Sequence, residues 1–230
     1  DVYVLPTNPA TRGIFPGAIS ACSYHNQLYG LPFAASPGDC LLLYNPALFT
    51  EAALDMPTNA WTLDDLVSAA SNLNRLDALG HLKQYGYIPQ YHLPSYLVML
   101  RLFGIELLDE NADMTPANTL YPILGWYQSM LHERLVFPRP YELTYNPSFL
   151  FHQGQAAMLR LSFGRLTELS QELEWVQAVL MPPLRQNGQH GGCITGLASC
   201  VTVNSPRPLE SIAWCQFLAD AETGVRMTVP

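Results

Sequence analysis

Positive charge is scarce in this sequence. Lysine and arginine together contribute 11 residues against 19 acidic residues, and Lys83 is the sole lysine. The formal net charge at pH 7 is therefore -8, and no basic run occurs along the chain. Proteins that bind nucleic acid or an anionic membrane surface concentrate lysine and arginine on one face. The composition therefore argues against both classes of partner.

Long apolar runs are also missing, although 49% of the 230 residues are hydrophobic. A helix that crosses a bilayer needs about 20 consecutive apolar residues, and the longest runs here are much shorter. The first residues show no basic start and are interrupted by Pro6, so we identify no targeting segment. A high apolar content with 13% charged residues is typical of a well-buried globular protein of one or two domains.

Cysteine is present in an odd number and without a C-x-x-C pair. A disulfide scaffold or a structural zinc site usually shows an even or paired set. We therefore expect no disulfide, no metal and no cofactor, and we interpret the thiols as small core residues. The five cysteines are Cys22, Cys40, Cys193, Cys200 and Cys215.

Catalytic signatures are absent as well. The chain has no G-x-S-x-G elbow, no P-loop and no G-x-G-x-x-G motif. His190 and Cys193 are a possible nucleophile pair for a hydrolase, but no orienting acid lies near them in the sequence. The spacing of Cys22 and His25 would suit a metal but lacks a second ligand pair. We expect a protein that is not an enzyme.

What the sequence does contain is an alternation of strands and helices, which predicts an α/β fold. Short apolar runs bounded by glycine, proline or aspartate predict buried strands at 29–33, 40–44, 85–88 and 156–161. The stretch 34–39 is interpreted as a loop, and residues 1–24 as irregular. Thr62 to Asp65 form a capping box that opens the clearest helix.

Several motifs occur in an order that is informative beyond each motif alone. Residues 24–33 read YHNQLYGLPF, residues 43–49 read LYNPALF, and residues 61–66 read WTLDDL. Residues 149–158 read FLFHQGQAAM, and Ala213-Trp214 with Phe217-Leu218 follow near the end. This series resembles the extracellular solute-binding proteins of ABC importers, in the family that includes the maltose and oligosaccharide receptors. The resemblance extends over residues 24–220.

The resemblance implies a periplasmic-binding-protein-like fold of type II, mainly its second lobe with parts of the first. Residues 1–28 would be a fragment of the first lobe, 29–195 the second lobe, and 196–230 the return to the first. Family members are longer than this chain. The resemblance also implies that the lobes close about a hinge near Leu28–Tyr29 and Thr195–Gly196.

The implied function is capture of a small solute, a carbohydrate above all, for delivery to the permease subunits of an ABC importer. The implied location is extracellular or periplasmic, with a lipid anchor. The alternative is an intracellular ligand-sensing domain of a transcription regulator with the same fold, which the five thiols motivate. No direct contact with nucleic acid is expected in either case.

Candidate ligand-binding residues lie in loops at strand ends and at the lobe crossing. Ligands of open α/β sheets bind beyond the carboxyl ends of the strands. An aromatic ring can stack on the apolar face of a sugar, while polar groups bind its hydroxyls. The residues that we select are Ser36, Gln90, Tyr91, His92, Phe163, Gly164, Arg165, Gly192 and Cys193.

Overall fold

A computed structural model describes the chain as an alternation of strands and helices. The described residues are 13–90, 92–107, 114–132, 147–186, 188 and 190–220. The strands are β1 (Ser23–Tyr24), β2 (Gln27–Leu28), β3 (Leu31–Gly38), β4 (Leu41–Tyr44), β5 (Arg75–Leu76), β6 (Leu82–Ile88), β7 (Ala156–Leu161), β8 (Gln177–Leu180) and β9 (Cys193–Ser199). The helices are α1 (Pro16–Ala21), α2 (Pro46–Glu51), α3 (Leu63–Leu73), α4 (Leu93–Leu102), α5 (Tyr121–His132, preceded by a 3₁₀ turn at Ala117–Leu120), α6 (Pro147–His152), α7 (Phe163–Glu172) and α8 (Pro208–Ala219).

The chain divides into two compact units. The larger unit is a continuous segment, Pro37–Cys193, and the smaller one combines Asp1–Ser36 with Ile194–Pro230. The assignment of residues 1–28, 29–195 and 196–230 to lobes of a receptor stays a prediction.

A five-stranded mixed sheet in the order β5-β6-β7-β4-β8 organises the larger unit. β6 and β7 run parallel, whereas β4 is antiparallel to both β7 and β8. β7 is buried along its whole length, as expected for a central strand that is covered on both faces. The apolar runs therefore predicted the central strands correctly.

Helices cover both faces of this sheet. On one face, Leu66 of α3, Val98 of α4 and Ile123 of α5 pack with Tyr87 and Met158 of the strands. On the other face, buried residues of α6 and α7 pack against alternate residues of β7, namely Phe151, Leu169, Leu159 and Leu161. The larger unit thus has three layers, with the sheet in the middle.

The capping box predicted at α3 is confirmed. The hydroxyl of Thr62 accepts from the Asp65 amide at 3.4 Å, and the carboxylate of Asp65 accepts from the Thr62 amide at 2.8 Å. Each side chain satisfies an amide that the first turn leaves unpaired. The buried face of α3 comprises Leu63, Leu66, Ala69, Ala70 and Leu73.

The smaller unit has a separate core. β1 and β2 form a hairpin whose two turn residues, His25 and Asn26, both have positive φ, as a two-residue primed turn requires. β3 and β9 form a second pair. The core residues are Leu28, Leu31, Val201, Cys215 and Ala219.

Three local interpretations need correction. The loop expected at 34–39 is mostly strand β3, because pairing with β9 gives these small residues a partner. The segment 1–24, interpreted as irregular, contains α1, which Pro16 opens in its first turn, where proline lacks only an amide that has no helical partner. The helical spacing of Leu120, Ile123, Leu124, Tyr127 and Leu131 predicts one apolar face in α5. The buried residues of this helix are instead Ile123 and Met130, whereas Leu124 and Leu131 are exposed. None of the described helices is long and apolar enough to cross a membrane.

Candidate functional site

The loops that follow the central strands lie together at one edge of the sheet in the larger unit. The parallel strands β6 and β7 both end there, at Ile88 and Leu161. The antiparallel strand β4 begins at the same edge, since Leu41 pairs with Leu161. We call residues 39–40, 89–90 and 162–165, which flank these strand ends, the polar edge. This is the position at which open α/β sheets bind ligands.

Asp39 anchors the polar edge. Its side chain is only 7% exposed, and it lies just before β4. The hydroxyl of Ser95, in the first turn of α4, donates a hydrogen bond to Asp39 Oδ2. The same oxygen lies 3.4 Å from Nε2 of His92, whose ring is half exposed. A buried carboxylate is thereby held in place while one of its partners faces solvent.

Arg160 lies near the end of β7 and is completely buried. Its Nη2 donates to the carbonyl oxygen of Gln90 at 3.3 Å and to the Tyr127 hydroxyl at 3.5 Å. The guanidinium thus connects the loop after β6 with helix α5. Burial raises the pKa of the neighbouring Tyr87, so this phenol stays protonated at physiological pH.

Gly191 brings the last segment of the larger unit against α4. A Cβ atom on Gly191 would lie 2.6 Å from the carbonyl oxygen of Val98, so no larger residue fits without movement. A Cβ atom on Gly192 would meet Cys40 at 3.6 Å, which is an ordinary contact. The close backbone approach in this glycine pair therefore occurs at Gly191 and not at the candidate residue Gly192.

The thiol of Cys193 points into the protein. It donates to the carbonyl oxygens of Gly38 at 3.4 Å and Pro94 at 3.8 Å. Burial, followed by the nearby Asp39, raises the pKa of the Cys193 thiol, which disfavours the nucleophilic thiolate. Nδ1 of His190 lies 2.9 Å from the Met181 carbonyl oxygen instead. Because these side chains bond elsewhere, their contacts do not support the hydrolase alternative.

The first turn of α7 presents an aromatic ring and an ion pair to solvent. Phe163 is 52% exposed directly after β7. Arg165 forms an ion pair with Glu168, and at least half of each side chain is exposed to solvent. A Cβ atom on Gly164 would meet nothing within 4 Å, so this glycine leaves open space.

The remaining candidate residues differ in position. Gln90 follows β6 at the polar edge and contributes its carbonyl oxygen to Arg160. Ser36 belongs to the smaller unit, where its carbonyl oxygen accepts from the Thr195 hydroxyl at 3.5 Å. Tyr91 lies outside the described residues. Whether any candidate contacts a ligand stays a prediction.

Three residues in or near the polar edge are not among the candidates chosen from the sequence: Asp39, Ser95 and Arg160. Arg160 carried a usable signal, because a single charge interrupts the apolar run AAMLRL at 156–161. Among the described residues no group of histidine, cysteine or acidic side chains could hold a metal ion. The five cysteines are all unpaired.

Solved structures of similar fold include several solute receptors. An ABC substrate-binding protein from Listeria monocytogenes, in complex with cycloalternan, gives a TM-score of 0.73 at 20% identity over 93% of this chain and 53% of its own. The GacH receptor of Streptomyces glaucescens, solved unliganded and with acarbose, gives 0.75 at 18% identity over 99% of this chain and 58% of its own. A solute-binding protein from Thermotoga lettingae, bound with α-D-tagatose, gives 0.71 at 20% identity over 95% and 57%.

These likenesses confirm the periplasmic-binding-protein-like α/β fold, and the chain spans a little more than half of these three proteins. No curated protein matches the sequence significantly. The family model for bacterial extracellular solute-binding proteins matches residues 2–228, nearly the whole chain. The resemblance inferred from the motifs is thereby confirmed, and the chain belongs to the bacterial extracellular solute-binding protein family.

Proposed function

We propose that this chain is the carbohydrate-binding part of an ABC-importer receptor and that the polar edge forms one wall of its sugar site. The observation that carries the proposal is a family match over residues 2–228, combined with an exposed aromatic ring at the carboxyl ends of the central strands. Proteins of similar fold have been solved with cycloalternan, acarbose and tagatose, all of which are carbohydrates or their analogues.

The chemistry of the polar edge and of the adjoining His92 suits a sugar. The Phe163 ring is half exposed and can cover the apolar C–H face of a pyranose. The half-exposed His92 ring can exchange a hydrogen bond with a sugar hydroxyl while its Nε2 stays beside Asp39. A site that combines an aromatic platform with a few convergent polar groups is typical of small-molecule recognition.

The receptor role implies further properties that we include in the proposal. The protein would work outside the cytoplasm, held by a lipid anchor, and would deliver its ligand to permease subunits in the membrane. Capture would involve closure of two lobes about a hinge near Leu28–Tyr29 and Thr195–Gly196. The chain would bind its solute without chemical change.

A sugar panel tests this proposal with a matched pair of variants. Phe163 and Phe149 have the same exposure, 52%, but Phe149 lies in α6, before β7 rather than after it. We expect a monosaccharide or short oligosaccharide to raise the melting temperature of the wild type and of Phe149→Ala, but not of Phe163→Ala. Isothermal titration calorimetry would then measure the affinity. Equal sugar responses in both variants would contradict the assignment of the site.

Failure of every mono- and oligosaccharide to bind would contradict the choice of ligand class. Amino acids and short peptides, tested in the same assay, would show whether another solute class takes its place. Binding of such a solute that depended on Phe163 would keep the site and change the ligand.

A further inference from the structure

Arg160 is unusual because its charge lies inside the larger unit and forms no ion pair with any of the described residues. The side chain is fully buried, and two of its three nitrogen atoms, Nε and Nη1, have no hydrogen-bond partner among the described residues. The hydroxyl of Tyr87 is also buried and has no hydrogen-bond partner among the described residues. Buried polar groups are nearly always hydrogen-bonded in native proteins, so these three atoms call for an acceptor.

The three atoms belong to one face of the sheet. Tyr87 pairs in register with Met158 of the neighbouring strand, and Arg160 follows Met158 by two positions on the same side of β7. Tyr87 and Arg160 are therefore diagonal neighbours across the parallel pair. Each influences the pKa of the other, in agreement with this proximity.

No described carboxylate neutralises the guanidinium directly. None of the ion pairs found among the described residues includes Arg160. The buried carboxylate of Asp39 acts on Arg160 only at longer range, and its Oδ2 is occupied by Ser95 and His92. Burying an isolated charge costs several kcal/mol, and buried charges in proteins are usually paired with an opposite charge.

We propose that Arg160 and Tyr87 bind a small inorganic anion of chloride size inside the larger unit. An anion accepts hydrogen bonds from Nε, Nη1 and the Tyr87 hydroxyl, all of which can donate, and it neutralises the guanidinium. A water molecule could accept hydrogen bonds but would leave the charge uncompensated. The anion would hold the Arg160 side chain beneath the polar edge, where its Nη2 supports the Gln90 carbonyl.

Thermal unfolding at constant ionic strength tests the site, with chloride replaced by methanesulfonate, a larger monovalent anion. A ligand that binds only the folded state raises the melting temperature with the logarithm of its concentration. We expect a rise of about 3–5 °C for each tenfold increase in chloride above the dissociation constant. Diffraction from crystals soaked in bromide should then show an anomalous peak beside Arg160.

Two variants and a control assign the effect to these residues. Arg160→Met should lose the chloride response, whereas Arg75→Met, which removes an exposed arginine bonded to the Asn72 carbonyl, should keep it. If Arg160→Met does not fold, Tyr87→Phe decides, because it keeps the charge and removes one donor. We expect Tyr87→Phe to need about tenfold more chloride for the same shift.

Two results would overturn the proposal. One is an equal melting temperature of the wild type in chloride and methanesulfonate, together with no bromide peak at Arg160. The other is a chloride response that is unchanged in Tyr87→Phe and in any folded Arg160→Met protein. Either result would mean that ordered water, and not an anion, accepts hydrogen bonds from the three atoms.

Discussion

The end of β7 and the first turn of α7 carry one arginine each, in opposite surroundings. Arg160, in the strand, is completely buried and bonds to Gln90. Arg165, in the helix, is half exposed and pairs with Glu168 three residues on. An exposed ion pair within one helix contributes less than about 1 kcal/mol, whereas truncation of a buried charged side chain can cost several times more.

This contrast shows that residue type alone does not indicate how much a side chain contributes to stability. Position in the sequence favours Arg165 over Arg160 as a ligand contact, because loops after strands are the usual place for such contacts. The strand residue, however, is the one that bonds to two other elements, the loop after β6 and helix α5. Two glycines, two helix starts and two cysteines of this chain form similar pairs. In each pair one residue makes close contacts or hydrogen bonds within the protein, and the other does not.

The arginine pair should show the largest difference. We expect Arg160→Ala to destabilise the protein by about 3–5 kcal/mol, since it removes a buried side chain and leaves the Gln90 carbonyl without its donor. Arg165→Ala should change the free energy of unfolding by less than about 1 kcal/mol. Urea denaturation followed by circular dichroism measures both. Similar losses of unfolding free energy in the two variants would show that the buried Arg160 contributes no more to stability than the exposed Arg165.

The glycine pair should show the second-largest difference in the free energy of unfolding. A methyl group on Gly191 would meet the Val98 carbonyl oxygen at 2.6 Å, and backbone atoms cannot move aside as a side chain can. We expect Gly191→Ala to destabilise the protein by about 2–3 kcal/mol. Gly192→Ala should be tolerated within about 0.5 kcal/mol, because its new methyl group has an ordinary contact with Cys40 at 3.6 Å. A greater loss at Gly192 would refute the placement of this segment against α4.

The two helix starts differ in whether the side chain caps the helix. Thr62 bonds to the Asp65 amide at the start of α3, whereas Ser162 makes no such bond at the start of α7. We expect Thr62→Ala to destabilise the protein by about 1 kcal/mol and Ser162→Ala by a few tenths. Differential scanning calorimetry of both variants compares them directly. An equal shift in melting temperature would mean that the Ser162 hydroxyl also caps its helix.

The elements of the larger unit were largely predictable because their signals are local. β7 is an apolar run bounded by a glycine and a polar residue, and the capping box at Thr62 needs only four consecutive residues. β3 was misjudged because its residues are small and contain proline, so that its pairing with β9 depends on a partner far along the chain.

The interior of the site was not predictable for the same reason. The hydrogen bond between Ser95 and Asp39 joins residues 56 positions apart, and the one from Arg160 to Gln90 spans 70 positions. No periodicity or spacing connects such residues in a sequence. Their contacts follow from the parallel register of β6 and β7 and from the entry of β4 at the same edge, which only the folded chain provides.

The cysteine pair should give the smallest effect, and its sign follows from the direction of the shift. Burial raises the pKa of the Cys193 thiol above its ordinary value of 9.0, so the folded state holds this proton more tightly than the unfolded state. The resulting stabilisation is fully present below about pH 9 and is lost as the pH rises through the folded-state value. We therefore expect the melting temperature of the wild type to fall more steeply above pH 9 than that of Cys193→Ala. Cys200→Ala, which alters an exposed thiol, is the matched control and should follow the wild type. Faster alkylation of Cys193 than of Cys200 by iodoacetamide at pH 8 would contradict the partly buried, protonated thiol.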